Sequence, residues 1–236
     1  QRLFFDVRLS MDGDTSCATC HDPSRAFTDG LPVARGTSER LGTRNTPSLW
    51  NVAYERTLFW DGRRTTLETQ ALDPLLSPRE HGLAGESGVL DIVRRDDAYQ
   101  EAFATAFGIA PDGIAIAHVL RALAAFERTL LIGDSPFDRY QYGHDESALS
   151  PAAMRGLALF GGAAGCATCH VIGPNAALLT DGEFHALGIG LDKIRADLAT
   201  LATTIANTRE TERYALIGED AGWAAVGRYL VTRDPG

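Results

Sequence analysis

All four cysteines of the chain fall in one pentapeptide written twice, Cys17-Ala-Thr-Cys20-His21 and Cys166-Ala-Thr-Cys169-His170. Two thiols about one helical turn apart can form thioethers with the two vinyl groups of one haem, and the imidazole that follows then reaches the iron. Cys17, Cys20, Cys166 and Cys169 therefore read as attachment points for two covalently bound haem c groups, with His21 and His170 as axial ligands. A four-cysteine zinc site would leave both adjacent histidines without a role. A thioredoxin-like pair comes singly and on a βαβ pattern, which is not found here. Haem c is attached outside the bacterial cytoplasmic membrane, so the motifs imply an exported, periplasmic protein whose signal is not in the sequence.

Whether each iron does chemistry or only carries electrons depends on its second ligand. Of the two methionines, Met11 lies too close to Cys17 to swing over that haem, and Met154 reads as a helix core residue. The second iron is capped by His185, by a tyrosine such as Tyr214 or Tyr229, by solvent, or by chain beyond residue 236. For the first iron the candidates are His81, His118 and His144. His118 borders an apolar helical stripe and reads as packed, His144 sits in a polar loop, and His81 follows Glu80 in a loop that could face a haem or water. An open first iron is the more economical reading.

The elements that must position these groups are helical. Thr65-x-x-Glu68 is a capping-box signature for a short helix ended by Pro74 and Pro78. Val89, Ile92 and Val93, then Tyr99, Phe103 and Phe107, then Ile116, Val119, Leu120, Leu123 and Phe126 recur at helical spacing. Ser150-Pro151 reads as the cap and first turn of a helix that stops at Gly161-Gly162 and delivers the chain into the second motif. Another helix is expected from Asp192 to about Thr208. Residues 22 to 64 read as a long ordered loop, of the kind that wraps a cofactor. Gly133-Asp-Ser-Pro136 is the best boundary. The expected fold is all-α, two tandem c-type cytochrome-like haem domains at 1–134 and 135–236, the second ending on a turn-forming Asp-Pro-Gly that suggests further chain. With 236 residues, 44% apolar and 22% charged, the chain is a globular protein, and its net charge of −9 disfavours nucleic acid and favours cationic or neutral partners. No membrane span is expected, because Ile114 to Ile132 is broken by His118, Arg121, Glu127 and Arg128.

Between and after the two motifs stand Asp29-Gly-Leu-Pro32, Arg44-Asn-Thr-Pro47, Phe59-Trp-Asp-Gly-Arg63, Glu68-x-Gln70, Ser77-Pro-Arg-Glu-His81, Pro136-Phe-Asp-Arg-Tyr140 and Gly156-Leu-Ala-Leu-Phe160. In that order they resemble the bacterial di-haem cytochrome c peroxidases and their MauG-like relatives. The resemblance runs from residue 3 to about 190, fades between Leu191 and Ala221, and returns at Gly227-Arg-Tyr-Leu-Val-Thr232, after which the family continues with further chain.

The resemblance implies that His21 serves a peroxidatic haem and His170 an electron-transfer haem. Glu80 falls at the family's distal carboxylate, Gln70 at its pocket glutamine and Trp60 at the tryptophan between the haems. From the residues alone, Glu80 would be a surface glutamate and Trp60 a core aromatic. Asn45 matches an asparagine that helps hold a calcium ion. Family members that need reductive activation carry a distal histidine at about Gly36 or Thr37, and Val33-Ala-Arg-Gly-Thr-Ser38 has none, which favours the always-open, MauG-like members. The implied partners are hydrogen peroxide and either a small cationic electron-donor protein or an oxidised protein substrate, with a homodimer as the assembly. At such an iron one carboxylate can take the proton from the near oxygen of peroxide and return it to the far one. The competing class is a two-haem electron carrier with both irons six-coordinate.

Overall fold

The computed structural model of the protein describes residues 1–185, 187–188, 190–217 and 221–233. It is helical, and among the described residues only two isolated β-bridges occur, Arg35 with Leu41 and Leu58 with Arg64. Twelve α-helices follow in order: α1 Cys17–Cys20, α2 Leu67–Leu76, α3 Glu86–Arg95, α4 Asp97–Phe107, α5 Ile116–Glu127, α6 Pro136–Gln141, α7 Pro151–Gly161, α8 Leu191–Ile194, α9 Leu198–Asn207, α10 Glu210–Ile217, α11 Ala221–Ala225 and α12 Tyr229–Thr232.

Two compact units can be separated, residues 1–130 with 186–236, and residues 131–185. The break at Leu130 lies close to the turn cluster expected as the boundary. Residues 186–236, expected with the second haem domain, cluster instead with the first unit, because their contacts run back to the loop around Asp61. Arg228 donates to the Asp61 and Gly62 carbonyls, and Arg44 donates to the carbonyl of Ala224.

The core of the first unit is built as the periodicities require. Leu67, Ala71 and Leu75 of α2, Val89 and Val93 of α3, Tyr99 and Phe103 of α4, and Val119, Leu120 and Leu123 of α5 share one apolar cluster with Phe4 and Leu9 from the N-terminal segment. The N-cap of α2 is Thr66, whose side chain accepts from the Thr69 N–H, rather than the expected Thr65. Pro74 lies inside α2 instead of ending it. A proline there only forfeits the bond to the carbonyl four residues back, that of Gln70, and the packing of α2 on α5 holds the last turn. The helix expected from Asp192 to Thr208 is interrupted into α8 and α9 at residues 195–197. In the second unit, Ser150 caps α7 with Pro151 in its first turn, as the sequence reads.

Candidate functional site

The first motif forms a single helical turn. Ser16 N–H donates to Thr19 Oγ1 at 3.0 Å ahead of α1, and the His21 N–H closes onto the Cys17 carbonyl at 2.8 Å. These bonds set the two sulfurs and the imidazole on one short stretch of backbone. The His21 Nδ1 lies 2.9 Å from the Phe27 carbonyl oxygen. A carbonyl only accepts, so Nδ1 carries the proton and Nε2 presents its lone pair, the arrangement of a metal-ligating histidine. Burial holds the His21 imidazole below its ordinary pKa, which keeps it neutral and ready to ligate.

The second motif repeats the device on different backbone. A 3-10 turn carries Cys166 to Thr168, the His170 N–H donates to the Cys166 carbonyl at 2.9 Å, and His170 Nδ1 lies 2.9 Å from the Leu179 carbonyl. Phe27 and Leu179 both sit in the left-handed region, at φ 57° and 56°. That region is costly for a non-glycine residue. In both motifs the strained residue is the one that turns its carbonyl to the histidine.

The residues present fit a haem at each motif. At the first, the Glu127 Oε2 is buried without a hydrogen-bond partner, and burial pushes the Cys17 thiol up to about 12 and the Cys20 thiol to about 11. Thiols so held stay protonated and unreactive as free groups, consistent with use as thioethers rather than as a redox pair. At the second, no side chain of residues 131–185 is buried, although α7 and its surroundings are apolar. Met154, Leu159, Val171, Leu178, Leu179 and Phe184 are each at least 36% exposed. A segment this apolar without a core of its own lacks the partner a haem's broad apolar face would supply. Met154, expected in a helix core, is 40% exposed, because its unit buries none of its residues.

Glu80 lies on the turn that follows α2. Its N–H donates to the Ser77 carbonyl at 3.0 Å, the His81 N–H to the Pro74 carbonyl at 3.1 Å, and the Gly82 N–H to the Ser77 carbonyl at 2.8 Å. Burial raises the Glu80 carboxyl above the ordinary carboxylate range, with Arg63 and Ser77 acting against it. His81, the next residue, brings Nε2 within 3.9 Å of Cys17 Sγ, and the Thr37 N–H donates to the Glu80 carbonyl while the Cys20 thiol donates to the Arg35 carbonyl, so the turn stands beside the first motif. Gln70 is half-buried on α2, the helix whose end carries Glu80.

Trp60 is 54% exposed, against the core reading of its residue type, and its indole donates to the Asn45 carbonyl at 2.8 Å. Below it Asp61 is fully buried and accepts both contacts of Arg63 Nη1, at 2.9 and 3.0 Å, while the Arg63 guanidinium lies 3.4 Å over the Phe59 ring. The Trp-Asp-Gly-Arg stretch is thus a rigid platform with an exposed indole. The Asn45 side-chain N–H₂ donates to the Leu31 carbonyl. Among the described residues no cluster of carboxylates gathers at Asn45.

The other candidate ligands fall out as follows. The His81 ring is buried, with Nδ1 2.6 Å from the Leu9 carbonyl and Nε2 3.9 Å from Cys17 Sγ. It is anchored beside the Cys17 sulfur. His118 caps its own helix, accepting from the Ala115 N–H at 3.0 Å, and His144 is an exposed turn residue at φ 55°. His185 Nε2 pairs with Asp181 Oδ2 at 2.8 Å. Tyr229 packs against Ile205 and Leu230, and the side chain of Tyr214 lies outside the described residues.

Several residues that shape the site escaped the sequence reading. Glu127 registered there only as a charge interrupting an apolar run, yet it is 6% exposed. Nothing at the level of periodicity separates a buried from an exposed glutamate at a helix end. The carbonyls of Phe27 and Leu179 carry no sequence signal, since their role comes from φ alone.

Residues 1–146 match the family model of the di-haem cytochrome c peroxidases. Over 187 residues the chain is 43% identical to the methylamine utilization protein MauG of Methylorubrum extorquens, covering 79% of this chain and 51% of that protein. It is 34% identical to the cytochrome c peroxidase Ccp of Escherichia coli over 80% of this chain and 39% of that protein. Among solved structures, a MauG-like protein associated with microbial copper homeostasis superposes with a TM-score of 0.69 at 36% identity, covering 79% of this chain and 53% of that one. The di-haem peroxidase BthA of Burkholderia thailandensis gives 0.68 at 31% identity, covering 76% of this chain and 51% of that one. The chain spans about half the length of the curated relatives it matches. No described helix is long and apolar enough to cross a membrane.

Proposed function

From the premise that this chain belongs to the di-haem cytochrome c peroxidase family, we propose that it is a periplasmic, peroxide-dependent oxidoreductase of the MauG-like kind. A haem held at the first motif would supply the iron for peroxide binding and for reduction of the oxygen–oxygen bond. The balance is one peroxide, two electrons and two protons giving two waters.

The chain's own residues handle position, protons and electron supply. His21 and His170 would hold the two irons, and each is fixed in one tautomer by a carbonyl on Nδ1. Glu80 takes a proton from the near oxygen of peroxide and delivers it to the far one, and Gln70 orients the substrate. A carboxyl held above its ordinary pKa is better suited to giving that proton back at neutral pH than a solvated one. Trp60, held through its indole N–H, serves as the aromatic group in the electron path. Electrons come from a small cationic donor protein, drawn by the net charge of −9, or from a side chain of a protein substrate. A calcium ion at Asn45 is carried by the family resemblance, with the asparagine Oδ1 as its one contribution.

The observation that carries this reading is Glu80, a burial-raised carboxyl on a turn beside the first haem motif. Glu80→Gln tests it: both haems should remain in the pyridine haemochrome assay, while oxygen–oxygen cleavage slows by roughly a hundredfold. Unchanged turnover returns Glu80 to an ordinary loop glutamate. Finding zinc and no haem ends the reading altogether.

A further inference from the structure

The turn that carries Glu80 is clamped from two sides. On one side runs the loop closed by the Arg35–Leu41 bridge. Its Thr37 N–H donates to the Glu80 carbonyl at 2.7 Å, its Arg40 guanidinium to the Pro78 carbonyl at 2.8 Å, and Arg79 of the turn donates back to the Leu41 carbonyl at 3.0 Å. On the other side runs the N-terminal segment, where the Met11 N–H donates to the His81 carbonyl at 2.8 Å and the His81 ring is held by Leu9. Thr37, between the two backbones, is completely buried.

The closest approach is at Gly36. A Cβ built on it would lie 2.2 Å from the Arg79 carbonyl oxygen, 2.6 Å from Glu80 Cα and 2.7 Å from the Glu80 carbonyl oxygen. All three are backbone atoms, which cannot rotate out of the way. Gly36 is at φ −105°, a conformation open to other residues, so the glycine answers to contact and not to backbone freedom.

We propose that Gly36 is a positioning residue for Glu80: by bringing two backbones into contact, it makes the loop of residues 35–41 a fixed brace that sets where the carboxylate stands. This rests on the reading of Glu80 as the proton-transfer group. A methyl group at residue 36 fits only if the loop and the turn part by about 0.8 Å, the gap between 2.2 Å and the 3.0 Å below which something must shift. A displacement near 1 Å of a group that must meet both oxygens of peroxide costs up to about a hundredfold in rate.

The test compares four full-length, haem-loaded proteins: wild type, Gly36→Ala, Glu80→Gln and the double variant. Each is mixed in the ferric state with hydrogen peroxide and, separately, with nitric oxide, whose binding needs no proton transfer. Gly36→Ala should keep two haems, react with peroxide roughly ten- to a hundredfold more slowly, and bind nitric oxide within about twofold of wild type. The double variant should be no more than about threefold slower than Glu80→Gln, because a brace has nothing to place once the carboxylate is gone.

Wild-type peroxide rates in Gly36→Ala overturn the proposal. So does a double variant whose loss is the product of the two single losses, or an equal slowing of nitric oxide, since either means a disturbance unrelated to Glu80. A Glu80→Gln protein as fast as wild type removes the reading of Glu80 itself, and the brace with it. Should Gly36→Ala fail to retain haem, Arg40→Ala loosens the same turn from the surface by releasing the Pro78 carbonyl. It must then slow peroxide severalfold and spare nitric oxide, and wild-type behaviour in both overturns the proposal.

Discussion

Glu127 makes the pH dependence of stability a direct test of what lies around the first motif. Its carboxyl is pushed up to about 7 from an ordinary 4.5, first by burial and secondarily by the charge of Glu68, with Arg128 opposing. Its Oε2 has no hydrogen-bond partner. The folded chain therefore keeps a proton on Glu127 across a range in which the unfolded chain has lost it. Stability from this group is full below about pH 4.5 and falls as the pH rises through 7. A shift from 4.5 to about 7 at 1.36 kcal/mol per unit amounts to about 3 kcal/mol in all, of which some 2 to 3 kcal/mol is lost between pH 5 and 8. Glu127→Gln, which keeps the shape and cannot ionise, should remove that decline. All three tryptophans, Trp50, Trp60 and Trp223, lie in the unit of residues 1–130 and 186–236, so urea unfolding followed by tryptophan fluorescence reports this unit. The measured quantity is the difference between wild type and variant at pH 5, 6, 7 and 8, in which every other titrating group cancels. Parallel stability curves would show that Glu127 ionises freely in the folded protein and that the first motif's surroundings are wet.

The second unit should depend on its haem for order, because none of residues 131–185 is buried. A Cys166→Ala/Cys169→Ala variant should be cleaved within 131–185 at least about tenfold faster by a dilute protease, with the first unit as protected as before; equal rates would refute this. The ferric, haem-loaded protein should show a high-spin haem and react with peroxide without prior reduction. No histidine lies in residues 33–38, and His81 is tied to Leu9 and faces Cys17. A wholly low-spin spectrum, silent until half-reduced, would instead mark an activation-dependent peroxidase or an electron carrier.

What could be read in advance follows from where the information sits. Cysteine spacing points to covalent chemistry directly, and the structure gives both motifs a turn with the histidine Nδ1 set on a carbonyl oxygen. Helices α3 to α5 were legible because their apolar stripes are long and uninterrupted. The bounds of α2 were not, since Thr65 and Thr66 are equally good caps and only packing decides that Pro74 is carried inside the helix. The grouping of residues 186–236 was hidden for a similar reason. It is fixed by guanidinium-to-carbonyl bonds, and a carbonyl belongs to every residue type. Trp60 reversed the usual expectation for its side chain, because the buried member of its loop is the charged Asp61, neutralised by Arg63.

Two identical pentapeptides stand in unlike settings, and the difference argues for how their haems divide the work. At the first motif the chain supplies polar groups of its own: a partly buried Glu80 on a clamped turn, a buried His81 fixed by Leu9, and a buried Glu127 whose Oε2 has no partner. Such groups keep a set geometry before any substrate arrives, which is what moving a proton between two oxygens demands. At the second motif the chain supplies exposed apolar side chains, an oriented His170, and the His185–Asp181 pair close to Cys169. The proposed electron-transfer role of the second haem rests on this setting, in which every apolar side chain is at least partly exposed. Because the attachment sequence is the same at both, the proposed division of labour rests on what surrounds it. Grafting the first motif's five residues onto the second position would change nothing, since they are already there.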